Sequence, residues 1–307
     1  MAILAIIAAL LLEQWRPLGD RKAVFAALAA WADWLERSFN AGEARHGVIA
    51  WLVAALLPAG AALALYALLW WISPLAALLL NIAALYLTLG FRQFSHYFTG
   101  IQAALRDGDV DHARVLLGTW RGEPATHRSR EEVIRLAIEE AIAASHRHVF
   151  AVLFWFVLLP GPSGAILYRM AAFLQRRWGG KGEFGRCAER ALFVLEWPAA
   201  RFTAAAFAVV GDFEDAVACW RTQASRWSQQ DGGMAMGILL AAGGGALGIQ
   251  LGGMLPTLTG DPDVRPDLGM GDPVEPDVLP SAVGLVWRAL VLWLLLILLL
   301  TLANLAP

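Results

Sequence analysis

The chain has 307 residues, of which 58% are hydrophobic and 16% charged, with a net charge of -2 and a mean hydropathy of +0.56. Soluble domains carry about a quarter charged residues, so this composition predicts an integral membrane protein. It also excludes nucleic acid as a partner, because a binding face needs a basic excess. Cys187 and Cys219 show no C-x-x-C spacing and no clustered histidine, so neither a zinc site nor a disulfide framework is signalled. Both read as small apolar residues.

In chain order, Met1 to Leu12 is an unbroken apolar run ended by Glu13. Twelve helical residues rise only about 18 Å against a hydrocarbon core of about 30 Å, so this run packs on the bundle or lies at the interface rather than spanning. Residues 13–46 are amphipathic, with Trp15, Trp31 and Trp34 beside Arg16, Arg21, Lys22, Arg37 and Arg45, the pairing expected at headgroup level. Residues 47–71 and 75–91 read as a transmembrane hairpin turning at Ser73-Pro74. Residues 92–148 form the largest polar stretch and carry eight arginines. Within it, Ser129 and Glu132 have the spacing of a capping box at the start of a helix that reaches about His148.

Residues 149–169 carry no charge from Val149 to Leu159 and then meet Pro160-Gly161-Pro162-Ser163-Gly164. Two prolines and two glycines in five residues predict either a kinked span or a segment that enters and returns. A helix over 199–210 follows the basic stretch 175–196, and a surface helix runs over 214–227. Residues 234–255 read as a glycine-rich span. Gly244, Gly248 and Gly252 recur at four-residue intervals, a small-residue face suited to helix packing or assembly. Residues 256–280 hold six prolines, six acidic residues and the single cation Arg265, which predicts an extended loop with little to bury. Residues 285–306 form a clear C-terminal span.

These elements predict an all-α polytopic membrane protein with about four spanning helices, one Pro/Gly-broken segment and cytoplasmic amphipathic helices. Its divisions are 1–46, 47–91, a core over 92–255, the loop 256–284 and the span 285–307. Arginines concentrate in 13–46, 92–148 and 170–233, which the positive-inside rule places in the cytoplasm of a bacterial inner-membrane protein, with the acidic loop 256–280 extracytoplasmic. Near the cytoplasmic mouth of the broken segment lie Glu139, Glu140, His146, Arg147, His148, Tyr168, Arg169, Arg190 and Arg201. Such arginines bind phosphate or carboxylate through forked hydrogen bonds, or anchor at headgroups while pairing with Glu139, Glu189 and Glu196. His146 and His148 are two apart and point to different helix faces, so no metal pair is expected there.

One run, Ala104-Leu105-Arg106-Asp107-Gly108-Asp109 with Ala113-Arg114, resembles a motif of the CobD/CbiB family of cobalamin-biosynthesis membrane proteins. Further matches keep the family's order: Ala137-Ile138-Glu139, Ala151 to Trp155, Pro162 to Arg169, Phe184-Gly185, Arg190, Ala200 to Ala204, and Gly245 to Gly253. The resemblance covers roughly residues 90–255. It implies joining adenosylcobyric acid to aminopropanol or its phosphate, with ATP and Mg²⁺, and hence a corrinoid or other large amphiphilic ligand beside membrane lipids. On their place near the broken segment, with the family's chemistry in view, Glu139 is the catalytic candidate, and Arg147, Tyr168, Arg169, Arg190 and Arg201 are the ligand- or phosphate-binding candidates.

The chain departs from the family where polar groups are expected. Ala143-Ala144-Ser145-His146-Arg147 replaces Glu-Asn-Thr-Ser-Asp, and Leu192-Phe193 replaces an Asp-Asp pair. Asp231-Gly232-Gly233 stands where the family has Asn-Ala-Gly. Phe150 to Trp155, Leu195-Glu196-Trp197-Pro198 with Arg201, and Val209 to Phe213 are similar instead to the AmpE branch linked to β-lactamase regulation. Three readings follow: a ligase of the family type, an AmpE-like non-catalytic regulator, or a structural subunit assembling through 244–252.

Overall fold

The structure is a computed structural model and describes residues 1–15, 22–40, 42–227, 233–255 and 264–303. Arg16, Arg21, Asp231, Gly232 and loop residues 256–263, all used above, lie outside the described residues. The elements are α1 (Ala2–Trp15), α2 (Lys22–Phe39), α3 (Ala44–Ile72), α4 (Pro74–Thr88), α5 (Phe91–Arg106), α6 (Val110–Arg121) and α7 (Arg130–Leu158). After these come α8 (Ser163–Trp178), α9 (Gly182–Val210), α10 (Phe213–Gln223), α11 (Gly233–Leu247), β1 (Gln250–Gly252), β2 (Asp267–Gly269) and α12 (Val278–Ala303).

The chain is an all-α polytopic membrane protein. Among the described residues four helices are long and apolar enough to cross a membrane: α3, α7, α9 and α12. Two of the four differ from the sequence expectation. The spans expected at 75–91 and 234–255 are the shorter helices α4 and α11. In their place, two helices run through points where the sequence suggested a boundary. A single wide turn at His146–Phe150 carries α7 from its charged half into its apolar half without ending it. Pro198 sits inside α9 and removes one helical donor, and beside it the Leu195 carbonyl accepts the Trp155 indole N–H at 3.1 Å.

Two compact units divide the chain, residues 1–90 with 151–199 and residues 91–150 with 200–307. In the first, α1 packs on α4. Ile3, Ala5, Ile6 and Ala9 are buried while Leu4, Ile7 and Leu11 stay exposed. The hairpin turns where expected, at Ser73, which is extended and leads into Pro74 at the first turn of α4. Its core gathers Ala32, Leu35, Ala50, Ala54, Trp178 and Phe184 from α2, α3, α8 and α9. The amphipathic α2 is tied down at its polar edge, where Arg177 forks onto Asp33 and Lys181 reaches Glu36 at 2.7 Å. The Arg177 guanidinium holds the Asp33 carboxyl below its usual range.

At the Pro/Gly break the chain turns between α7 and α8, and α8 packs beside the last turns of α7. Gly161 takes a left-handed φ of 62° with the Tyr66 ring against it. Gly164 lies directly under the Trp155 carbonyl, so a side chain there meets backbone. The Pro-Ser-Gly block is thus a packing device.

In the second unit α5, α6 and the first half of α7 pack on one another. Asp109 caps α6 by accepting the His112 N–H at 2.9 Å. The capping box also forms, with Glu132 N–H donating to Ser129 Oγ at 3.1 Å and Ser129 N–H to the Glu132 carboxylate at 2.7 Å. The glycine-rich block is a correction to the expected helical face. α11 ends at Leu247, Gly248 is left-handed at φ 66°, and Gly252 lies in a strand. Gly244 and Gly245 do allow close approach, but to Gly269 and to Asp215-Ala216 of the same unit.

Gly164→Ala is expected to lower stability by about 1–3 kcal/mol, the usual range for overpacking a filled site. Thermal unfolding in detergent measures it, and an unchanged midpoint would contradict this account of the turn.

Candidate functional site

The site grows from α7, β1 and the loop that returns as β2. Residues 264–280 were expected to bury almost nothing, yet Leu268, Val274 and Leu279 are buried and β2 pairs antiparallel with β1. Leu251 stands opposite Leu268, both fully buried, and this apolar pair fixes the register. Gln223 at the end of α10 clamps the hairpin by exchanging two hydrogen bonds with the Gly269 backbone, at 2.7 and 3.0 Å. Gly252 and Gly253 are both left-handed, at φ 73° and 75°. Only glycine adopts two such conformations in succession without strain.

This turn delivers Arg265 to Glu139. Glu139 is 4% exposed and Arg265 7%. Arg265 Nη1 donates to Glu139 Oε2 at 2.8 Å and Nη2 to Oε1 at 3.2 Å, while the Gly252 N–H donates to Oε1 at 2.8 Å. Trp227 lies under the guanidinium, 5.4 Å from ring centroid to Cζ. A bidentate fork, a backbone donor and an aromatic face together offset the cost of burying both charges. One turn earlier on α7, Arg135 Nη2 donates to the Met254 carbonyl at 3.2 Å. The point where a Gly253 Cβ would sit lies 3.0 Å from Arg135 Nη1 and 3.0 Å from Asp267 Oδ1.

The other sequence candidates divide between the two units. In the second unit, Arg147 is half-buried within the wide turn of α7 and Arg201 half-buried on α9. Beside Arg147, His146 is buried with Nδ1 3.0 Å from Thr203 Oγ1, so two family blocks meet there as a polar pair. In the first unit Tyr168 is fully buried and its hydroxyl donates to Glu196 at 3.4 Å, while Arg169 is half-buried and Arg190 exposed. The cation that pairs with Glu139 is therefore Arg265, which the sequence showed only as the lone basic residue of an acidic loop. Arg135 was also missed; its signal was the i, i+4 spacing to Glu139.

Mg²⁺, implied by the family resemblance, does not fit a resident cage. Among the described residues no three His, Cys, Asp or Glu side chains gather, and both oxygens of Glu139 are engaged by Arg265 and Gly252. Such a cage draws on several carboxylate or amide oxygens. The Cys219 thiol, raised by burial and by Asp215, also offers no ready thiolate.

Arg265→Gln strands a buried carboxylate and is expected to cost about 3–5 kcal/mol. The double variant Glu139→Gln/Arg265→Gln, which removes both charges, should recover most of that loss in detergent unfolding. Equal instability of single and double variants would count against the pair as drawn.

Comparison with known proteins places this geometry. The family described as CobD/Cbib protein matches residues 4–286, so the likeness extends beyond 90–255 to the N-terminal helices and the β2 hairpin. A cobalamin biosynthesis protein CobD of Stutzerimonas stutzeri is 34% identical over 305 residues, covering 96% of each chain. Another, from Chromobacterium violaceum, is 37% identical over 224 residues, 72% of this chain and 70% of its own. No solved structure matches. The AmpE-like alternative finds no support in these relatives. With Glu139 and the glycine-rich block built into one buried site and the match running nearly end to end, the chain belongs to the CobD/CbiB family.

Proposed function

We propose that this protein joins aminopropanol or its phosphate to adenosylcobyric acid, the adenosylcobinamide-phosphate synthesis of its family. The near full-length match carries this reading. Amide formation requires an activated carboxyl group and an amine that loses a proton as it attacks. In this reading Glu139 accepts that proton. Arg265 and Gly252 hold its oxygens and so keep the carboxylate beside the glycine turn. Arg147 and Arg201, in the same unit as Glu139, supply further anchors for the phosphate or the acidic edge of a large amphiphile. ATP is the co-substrate that activates the carboxyl by transferring a phosphoryl or adenylyl group to it, and that group leaves as phosphate or AMP when the amine forms the amide bond. No step is assigned to a metal held by the protein.

The bacterial inner membrane is the proposed location. The arginine excess of 92–148 favours the cytoplasm for the Glu139 layer. Because Arg265 bonds to Glu139, residues 264–269 belong to that same side.

Two measurements test the reading. Calorimetry of the detergent-purified chain should show adenosylcobyric acid binding that strengthens with Mg-ATP and weakens in Arg147→Ala and Arg201→Ala. Absence of heat at high micromolar ligand would remove the corrinoid reading. For orientation, Asp107→Cys and Val264→Cys in a background without Cys187 and Cys219 should react with an impermeant maleimide from the same face of the membrane. Labelling from opposite faces would overturn the shared side.

A further inference from the structure

The donors around Glu139 are arranged as a receptor for an oxyanion, and the protein's own carboxylate fills it. Arg265 presents two parallel Nη donors, Gly252 adds its N–H, and the guanidinium is stacked on Trp227. This is how proteins recognise the carboxylate or phosphate of a ligand. Arg135 approaches the adjacent glycine, Gly253, from α7, with Nη2 on the Met254 carbonyl. Two guanidinium groups thus converge on Gly252-Gly253, whereas only one of the nearby carboxylates, Glu139, is buried; Asp267 is exposed.

The donor inventory is not exhausted. Among the described residues the Nε–H of Arg265 and the Nε–H of Arg135 are buried and have no hydrogen-bond partner, and Arg265 is 93% buried by its 7% exposure. A buried charged donor without an acceptor is costly, so its retention calls for an explanation. The paired left-handed glycines supply another part of the design, since a Cβ on Gly253 would lie 3.0 Å from Arg135 Nη1. Bare backbone at that point keeps the approach to Arg135 open.

We propose that Arg135, Arg265 and the Gly252 N–H form a subsite for a carboxylate or phosphate monoester, which Glu139 occupies until the ligand displaces it. The proposal rests on the assigned reaction for its biological ligand, because adenosylcobyric acid brings a carboxylate and aminopropanol phosphate brings a phosphate. Displacement frees the Glu139 carboxylate beside the incoming anion, where a proton acceptor is needed. The loop carrying Arg265 becomes part of the binding site.

Calorimetry on the full detergent-purified chain with inorganic phosphate, aminopropanol phosphate and acetate provides the test. Glu139→Gln removes the competing carboxylate and should bind the anions about tenfold more tightly than the native chain. Arg135→Gln, at a half-buried position, should bind them about tenfold more weakly, and Glu139→Gln/Arg265→Gln should not bind them. A response to phosphates alone assigns the aminopropanol phosphate, and a response to acetate as well assigns the corrinoid carboxylate. Equal affinity in the native chain and Arg135→Gln overturns the proposal, even where Glu139→Gln fails to fold. Anion affinities in the expected order without turnover of adenosylcobyric acid would sink the assigned reaction and leave the subsite standing. Turnover with affinities that ignore these substitutions would do the reverse.

Discussion

A buried carboxylate must be paired, and in this protein that requirement organises the second unit. Glu139 sits on the inner face of α7, where an unpaired charge would cost several kcal/mol. Its partner comes from 126 residues further along the chain. For Arg265 to reach it, α11 must stop at Leu247, the chain must turn through left-handed glycines, and the loop must return as β2. The Leu251–Leu268 pair and the Gln223 clamp hold that return in register. One electrostatic demand therefore accounts for a short helix, a glycine-rich turn and a two-stranded hairpin in an otherwise helical protein.

Much of the frame was legible from residues alone because its causes are local. The Ser73-Pro74 turn and the Ser129–Glu132 box depend on neighbours within a few positions, and each formed as read. The failures share the opposite property. Helix α9 continues through Pro198, where the indole of distant Trp155 supplies a bond to Leu195. Spacing at 244, 248 and 252 imitated a helical stripe although the helix had already ended. Arg265 looked like a stray charge because nothing near it in sequence names Glu139 as its partner. Long-range pairing carries no periodicity, so pattern reading is blind to it.

The same division runs through the family blocks. Pro162-Ser163-Gly164 is a steric device, since Gly164 closes against the Trp155 carbonyl. Gly245 to Gly253 is steric too, allowing α11 to meet α10 and β2 at backbone distance. Residues 143–147 are different, for there the family resemblance leads one to expect a polar run and the chain has Ala143-Ala144-Ser145-His146-Arg147. The structure places one of these residues in a buried His146–Thr203 contact at a wide helical turn. Packing motifs and polar motifs thus respond to separate constraints, and retention of the first says little about the second.

That separation bears on where chemistry can reside. If the polar run expected at 143–147 were the one place for chemistry in the fold, a chain without it would be an inert scaffold. Glu139 does not belong to that run. The carboxylate lies on α7 one turn beyond Arg135, and its donors are contributed by the glycine turn and by the returning loop, whose Arg265 stacks on Trp227. Because those donors come from several distant segments, the site exists only when the hairpin is folded onto α7. Binding at Arg265 is then coupled to the position of the loop through the hydrogen bonds that now hold Glu139, and a ligand that takes over the fork acts on both at once.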